Sequence, residues 1–391
     1  MENTHQTMYS TQRRSALCLV LIALGLFISG ASHAMSILDG QLPLQNPWKE
    51  RFQDVAKLND YAKTHPVEIA NTKIENEKID GAILNGGKFE NTNWKNVSAK
   101  KANLAKVVFR KGIVEDVDFS DSILTDVVFE DIKLRGLRFF RATLRNVKFI
   151  RCTFNGINID QTINSQIEVI DSKAISSSFS EGQLIAVFRN SKLYDGVELT
   201  DLQPPSSLTF EKSELEGVIM DRSKLKELVI IESKFNSALE VGSVDTISMR
   251  NSTVDATLSA TAIGNISVDN SIIKTLSLVR SKIKSMSLTN CSQRVQNLGL
   301  YQATIDSLEI TRCSLDDFRP TETIAGVLRI KDSAISNSEF QKMKAKTMIL
   351  DNVTLGGKLN FTNTHVTDLQ TKNVTKQPGL ELITTGSNVK F

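Results

Sequence analysis

Two groups of acidic side chains are the first candidates for chemistry. Asp316 and Asp317 stand beside Arg319, and Glu115 and Asp116 stand close to Asp118. Carboxylates in pairs are the equipment of sugar-chain cleavage, one acid kept protonated and its partner ionised. That chemistry also needs a groove built by long loops, to hold the sugar and exclude water. The chain has few insertions from which to build one. The competing reading is that these acids are solvated side chains on outward positions or in a loop.

Other chemistries find less support. Beyond the first 34 residues the histidines are His65 and His365, far apart and with no cysteine beside them. No ligand set at metal-binding spacing follows from them. A Gly-rich phosphate loop, a nucleophile elbow and a zinc-protease signature are all missing from the sequence. The sequence implies no cofactor. Charge is nearly balanced, 47 Lys and Arg against 44 Asp and Glu, a formal net of +3. A nucleic-acid-binding protein is usually more basic, and a mimic of DNA far more acidic.

The elements that position these side chains begin after an export signal. Arg13 and Arg14 precede an apolar run over 16–28, followed by Gly30-Ala31-Ser32-His33-Ala34. A basic region, a short apolar core and small residues are the parts of a secretory signal peptide. Cleavage is expected after Ala34. The run is short for a membrane span of about 20 residues, and no second candidate follows, so no transmembrane span remains after cleavage. Cys18 leaves with the signal, so Cys152, Cys291 and Cys313 remain, an odd number.

From Ile74 every fifth residue is apolar: Ile74, Ile79, Leu84, Phe89, Trp94, Ala99, Leu104, Phe109, Val114 and Phe119, continuing to Ile159. Two residues before most of them is a small or β-branched residue, such as Ala82, Thr92, Ala102, Val107, Ser122, Val127 or Cys152. A period of five fits neither a helix at 3.6 nor a strand at two. Some other closed path repeats. Segments such as Lys101-Ala102-Asn103-Leu104-Ala105 and Arg141-Ala142-Thr143-Leu144-Arg145 resemble the pentapeptide-repeat family. The resemblance implies an all-β fold, a right-handed quadrilateral parallel β-helix, with one pentad per side. In it the central residue and the one two before it point inward.

Charges check the number of sides independently. Four pentads per coil stack residues twenty apart, about 4.8 Å from each other across a ladder. At that spacing the sequence reads Glu75, Lys95, Glu115, Arg135; then Lys101, Asp121, Arg141; Lys111, Asp131, Arg151; and Glu90, Arg110, Glu130. Asp118 meets Arg138 in the same way. No like-sign pair occurs at this spacing between Glu75 and Arg151. Opposite charges one rung apart attract by a few tenths of a kcal/mol to about 1. The basic run Arg135, Arg138, Arg141, Arg145, Lys148, Arg151 therefore reads as a structural ladder rather than as a site for an anionic polymer.

The pattern continues with slips of frame through Leu193, Leu215, Leu225, Phe235, Val268, Ile305, Ile330 and Leu355. The expected organisation is a signal peptide over 1–34, an N-terminal segment with a short capping helix over 35–71, the β-helix over 72–375 and a C-terminal cap or tail over 376–391. The stacked coils would reach about 70 Å. A helix start is expected at Asn46-Pro47-Trp48, with an apolar stripe from Trp48 to Tyr61 lying over the first coil. Two interruptions are expected as loops. One lies near 201–209 and holds Gln203, Pro204 and Pro205; the other lies near 316–326 and holds Asp317, Arg319 and Pro320. Proline cannot donate to a ladder. Irregularities on a regular rod are natural contact points.

Cys291 and Cys313 are twenty-two apart, so a two-residue bulge would stack them on adjacent coils. Either they form a disulfide, or they are buried small residues kept as thiols. Three functions compete. The leading one is an exported, non-enzymatic scaffold in the periplasm or outside the cell, offering rigid faces to a protein or glycan partner and not to nucleic acid. The second follows the resemblance to the family's DNA-mimicking branch, which binds type II topoisomerases and is acidic and cytosolic. The third is a β-helix enzyme that degrades polysaccharide. The sequence leaves the oligomeric state open.

Overall fold

A computed structural model describes residue 52 and residues 54–391 apart from Ser292. The expected signal peptide with its cleavage at Ala34, and the helix start at Asn46, Pro47 and Trp48, lie outside the described residues.

The chain winds into a parallel β-solenoid. Register fixes the number of sides. Lys88 pairs with Val108, Val108 with Val128, and Val128 with Lys148, each one coil of twenty residues apart. Asn103 pairs with Ile123 and Ile123 with Thr143 on another side. In this first stretch the backbone turns left-handed at every fifth residue, as at Asn91, Asn96, Lys101 and Lys106. The coil therefore has four corners.

One corner column runs the full length of the rod. It passes through Asn71, Asn91, Lys111, Asp131, Arg151, Asp171, Asn190, Lys212, Glu232 and Asn251, then Asn270, Asn290, Arg312, Asp332, Asn352 and Asn373, sixteen residues all at positive φ. A left-handed residue other than glycine costs about 1–2 kcal/mol. Asn and Asp lower that cost by bonding locally, and here they also bond along the rod. Asn91 donates its amide to Asn71, Asn270 to Asn251 and Asn352 to Asp332.

Inside, all eighteen central residues from Ile74 to Ile159 are buried. Phe89, Phe109, Phe129 and Phe149 stack at 4.9, 4.8 and 5.0 Å between ring centres, nearly parallel. Their spacing is the ladder spacing, so the backbone register imposes it. The position two residues before the centre carries a second column. Backbone N–H groups of Cys152, Ser172, Ser191, Ser213, Ser233 and Ser252 each donate to the serine hydroxyl one coil further on. Each serine from 172 to 271 then donates to the carbonyl two residues before it, as Ser233 does to Ile231 at 2.7 Å. Small hydroxyls satisfy buried corner backbone that aliphatic side chains would leave unpaired.

The second half departs from the square. The strands Lys234–Arg250 and Thr253–Asp269 each cross three edges without a left-handed corner. The coil length shifts to 19 residues there, with Lys234 opposite Thr253, and to 22 further on, with Lys282 opposite Thr304.

Both ends are closed by an asparagine. The helix α1 (Val55–Ala62), capped by Asp54, places Asn59 so that its amide donates to the Gly81 carbonyl and accepts from the Ile83 N–H. At the far end Asn388 does the same to the Val366 carbonyl and N–H. Each amide imitates a peptide of the missing next coil and blunts an open edge.

Candidate interaction surfaces

The segment holding Gln203, Pro204 and Pro205 is a small insertion. Ile185 pairs with Ser207, a coil of twenty-two, so two residues are added. Leu202 and Ser206 remain buried, and Pro204 and Pro205 protrude. The Ser206 hydroxyl still accepts from the Leu184 N–H, and the Gln183 amide holds the Pro204 carbonyl at 2.9 Å. The expected loop over 201–209 thus shrinks to a tight, well-anchored bulge.

The loop expected near 316–326 does not exist, and this corrects the sequence reading. Leu298 pairs with Phe318, Gly299 with Arg319 and Ile305 with Ala325 in unbroken register. Phe318 and Pro320 point inward and are buried. Proline is accommodated because its missing donor is replaced. In this column Leu300 donates its N–H to the Arg319 carbonyl, and Phe340 donates to Asn360. The corresponding Glu339 carbonyl receives the Thr321 hydroxyl at 3.2 Å. Asp317 and Arg319 pair with each other on the rung surface.

Cys291 and Cys313 are joined by a disulfide, with Cα atoms 4.8 Å apart. The reading of two separate thiols is corrected. They occupy consecutive rungs of the serine column, between Ser271 and Ser333, and Cys313 still donates its N–H to the Ser333 hydroxyl. Cys152, at the head of that column, is a free buried thiol whose burial pushes its pKa up to about 12.

Asp316, Asp317 and Asp118 are engaged in ion pairs and hydrogen bonds. Asp316 accepts from Arg294 at 2.9 Å and from the Asn337 amide. Burial works to raise the pKa of Asp118, yet bonds from the Ser120 hydroxyl and N–H and from Lys100 leave it lowered. A general acid needs the opposite shift. Glu115 and Asp116 lie on different outward columns, and Asp116 is a corner residue with positive φ.

The charge columns form as stacked neighbours, though not every pair closes. Arg110 meets Glu130 at 2.7 Å, Arg141 meets Asp121 at 2.8 Å, and Arg151 meets Asp131 at 2.7 Å and Glu130 at 2.5 Å. Hydrogen bonds from these arginines hold the pKa of Asp121, Glu130 and Asp131 below the usual range. Glu75, Lys95, Glu115 and Arg135 lie in register without closing ion pairs. Among the described residues no group of His, Cys, Asp and Glu is placed to hold a metal ion. No helix among them is long and apolar enough to cross a membrane.

By its own geometry the chain is a parallel β-solenoid with pentad sides, the coil that the pentapeptide-repeat resemblance implies. No family model and no curated protein matches it. Among solved structures it is similar to HetL, a pentapeptide repeat protein involved in heterocyst differentiation regulation from the cyanobacterium Nostoc sp. strain PCC 7120. That likeness is 13% identity over 48% of this chain and 91% of HetL, with a TM-score of 0.24. QnrB1, a plasmid-mediated fluoroquinolone resistance protein, is 12% identical over 62% of this chain and 92% of its own, with a TM-score of 0.23. A mutant of the PL6-family alginate lyase AlyGC is 8% identical over 84% and 99%, with a TM-score of 0.16. At these scores the likenesses carry no functional argument.

Proposed function

We propose that the chain is an exported, non-enzymatic scaffold that presents the outward side chains of a rigid rod to a protein or glycan partner. The supporting observation is the surface lattice. Charges of opposite sign stack rung on rung and pair along the rod, so its first coils carry no field of one sign. A DNA mimic requires a continuous acidic face, which the Arg110–Glu130 and Arg141–Asp121 ladders interrupt. Of the acids weighed for sugar cleavage, Asp316, Asp317 and Asp118 are held by Arg294, Arg319 and Lys100, and Glu115 and Asp116 lie on different outward columns.

Cell fractionation with intact-mass measurement tests this reading. The expected product begins at Met35 and is found outside the cytosol. An uncleaved cytosolic protein would overturn export, and release of reducing or unsaturated sugar from a glycan panel would overturn the non-enzymatic role.

A further inference from the structure

One face of the second half carries a repeat of its own, with a period of three coils. Its rungs present, in stacking order, Lys224 and Lys226, Ser243 and Asp245, Ala262 and Gly264, Lys282 and Lys284, Thr304 and Asp306, Ile324 and Gly326, and Lys344 and Lys346. The order is lysine pair, hydroxyl with aspartate, apolar residue with glycine, then lysine pair again. Between the members of each pair an inward residue, such as Leu225, Ile283 or Ala345, is buried in the core.

The glycines have a structural reason. A Cβ at Gly264 would lie 2.3 Å from the Asp245 carbonyl, and one at Gly326 would lie 2.4 Å from that of Asp306. The lysines have none. All six are exposed, and none makes an ion pair among the described residues, although Asp245 and Asp306 sit on the next rungs. That contrasts with Arg110, Arg141 and Arg151 of the first coils, which close on acids stacked one rung away. The rungs from Thr304 to His365 border a shallow, open depression of about 390 Å³ lined by Asp306, Ile324, Gly326, Lys344, Lys346 and His365.

We propose that this face binds a linear acidic polysaccharide lying along the rod, its acid groups taken by the lysine pairs. The inference deepens the scaffold reading and rests on it for the accessibility of the face to glycans. Successive pairs lie about 14 Å apart, three ladder spacings. A nucleic-acid duplex carries a charge about every 1.7 Å, so most phosphates would find no cation and some would meet Asp245 or Asp306. A glycan whose acid-bearing sugars alternate with neutral ones spaces its charges far more widely than a duplex does, so a flexible chain can set some of them on successive lysine pairs. Its hydroxyls can donate to Asp245 and Asp306 and bond Ser243 and Thr304. The rungs with Ala262 and Ile324 beside a bare glycine offer flat apolar support to a ring face.

The test uses the purified full chain and three probes: hyaluronan, in which carboxylate-bearing and neutral sugars alternate, the uncharged glucan dextran, and duplex DNA. Hyaluronan is expected to bind and dextran is not. Replacing the central pair by K282Q and K284Q weakens binding about tenfold, and all six Lys→Gln changes abolish it. The control K133Q and K173Q, two exposed lysines on a different face, leaves affinity within about twofold. Hydrogen exchange on each variant confirms that the rod is intact. Absence of hyaluronan binding, equal loss in the control, or DNA bound as tightly as hyaluronan overturns the proposal. Because binding is measured on purified protein, failure of export leaves this result readable by itself.

Discussion

Phe129→Ala is the change that most sharply tests the phase of the pentads. Phe129 is fully buried and stacked between Phe109 at 4.8 Å and Phe149 at 5.0 Å. Truncating a buried phenylalanine costs about 3–5 kcal/mol, and the upper end applies where neighbours cannot collapse into the space. Here two rigid rings and a hydrogen-bonded ladder hold the void open. Phe140, eleven residues on, is an outward phenylalanine covered on one side by the Arg141 guanidinium, 4.8 Å from its ring centre. Phe140→Ala should cost no more than about 1 kcal/mol. Urea unfolding of both variants gives the comparison. Since stacked repeats can unfold in parts, amide exchange should be read beside it, and Phe129→Ala should lose protection chiefly in the coils around residues 109–149. Equal costs for the two phenylalanines would refute the assigned phase.

Other consequences are as specific. Ser233→Ala leaves the buried Ser213 N–H without its acceptor at 3.0 Å and should cost about 1–3 kcal/mol, with Ser233→Cys falling between alanine and wild type. Thr321→Val should destabilise by about 1 kcal/mol or more, because the Glu339 carbonyl loses the hydroxyl that stands in for the Pro320 N–H. Alkylation without reductant should leave Cys291 and Cys313 unlabelled, and label Cys152 only after unfolding. Reduction of the bridge should lower stability by about 3 kcal/mol, as expected for a closed loop of this length. Asp121, Glu130 and Asp131 have lowered folded pKa values, so their contribution is complete above the unfolded values near 4 and is lost as pH falls through the folded ones. An acid titration of melting temperature should therefore fall below about pH 4, and less steeply in the Arg151→Gln variant.

The first coils were legible because one residue type repeated at one spacing. An apolar centre every fifth position has a single closed geometry once twenty-residue charge stacking is added, and both readings rest on ordinary packing and Coulomb attraction. The second half was harder, since coil length varies between 19 and 22 there and corners lose their left-handed residues. Pro320 misled because the rule against proline in ladders treats the missing donor as fatal. Thr321, the next residue, supplies a replacement that only the register reveals. Pro204 and Pro205 suggest a loop, whereas the register adds only two residues there and Leu202 and Ser206 on either side stay buried. The cysteine pair could be placed on neighbouring coils by counting, whereas bonding depended on both occupying the serine column. The lysine repeat was invisible along the sequence because its members are separated by 58 and 62 residues and align only after the uneven coils are stacked.

Spin labels report coil stacking most directly. Nitroxides placed at Lys133 and Thr153, outward neighbours in adjacent coils, should show strong dipolar broadening in frozen solution, whereas a pair at Lys133 and Thr143, on different sides, should show far less. Weak coupling at a separation of twenty, or stronger coupling at ten than at twenty, would contradict four pentads per coil.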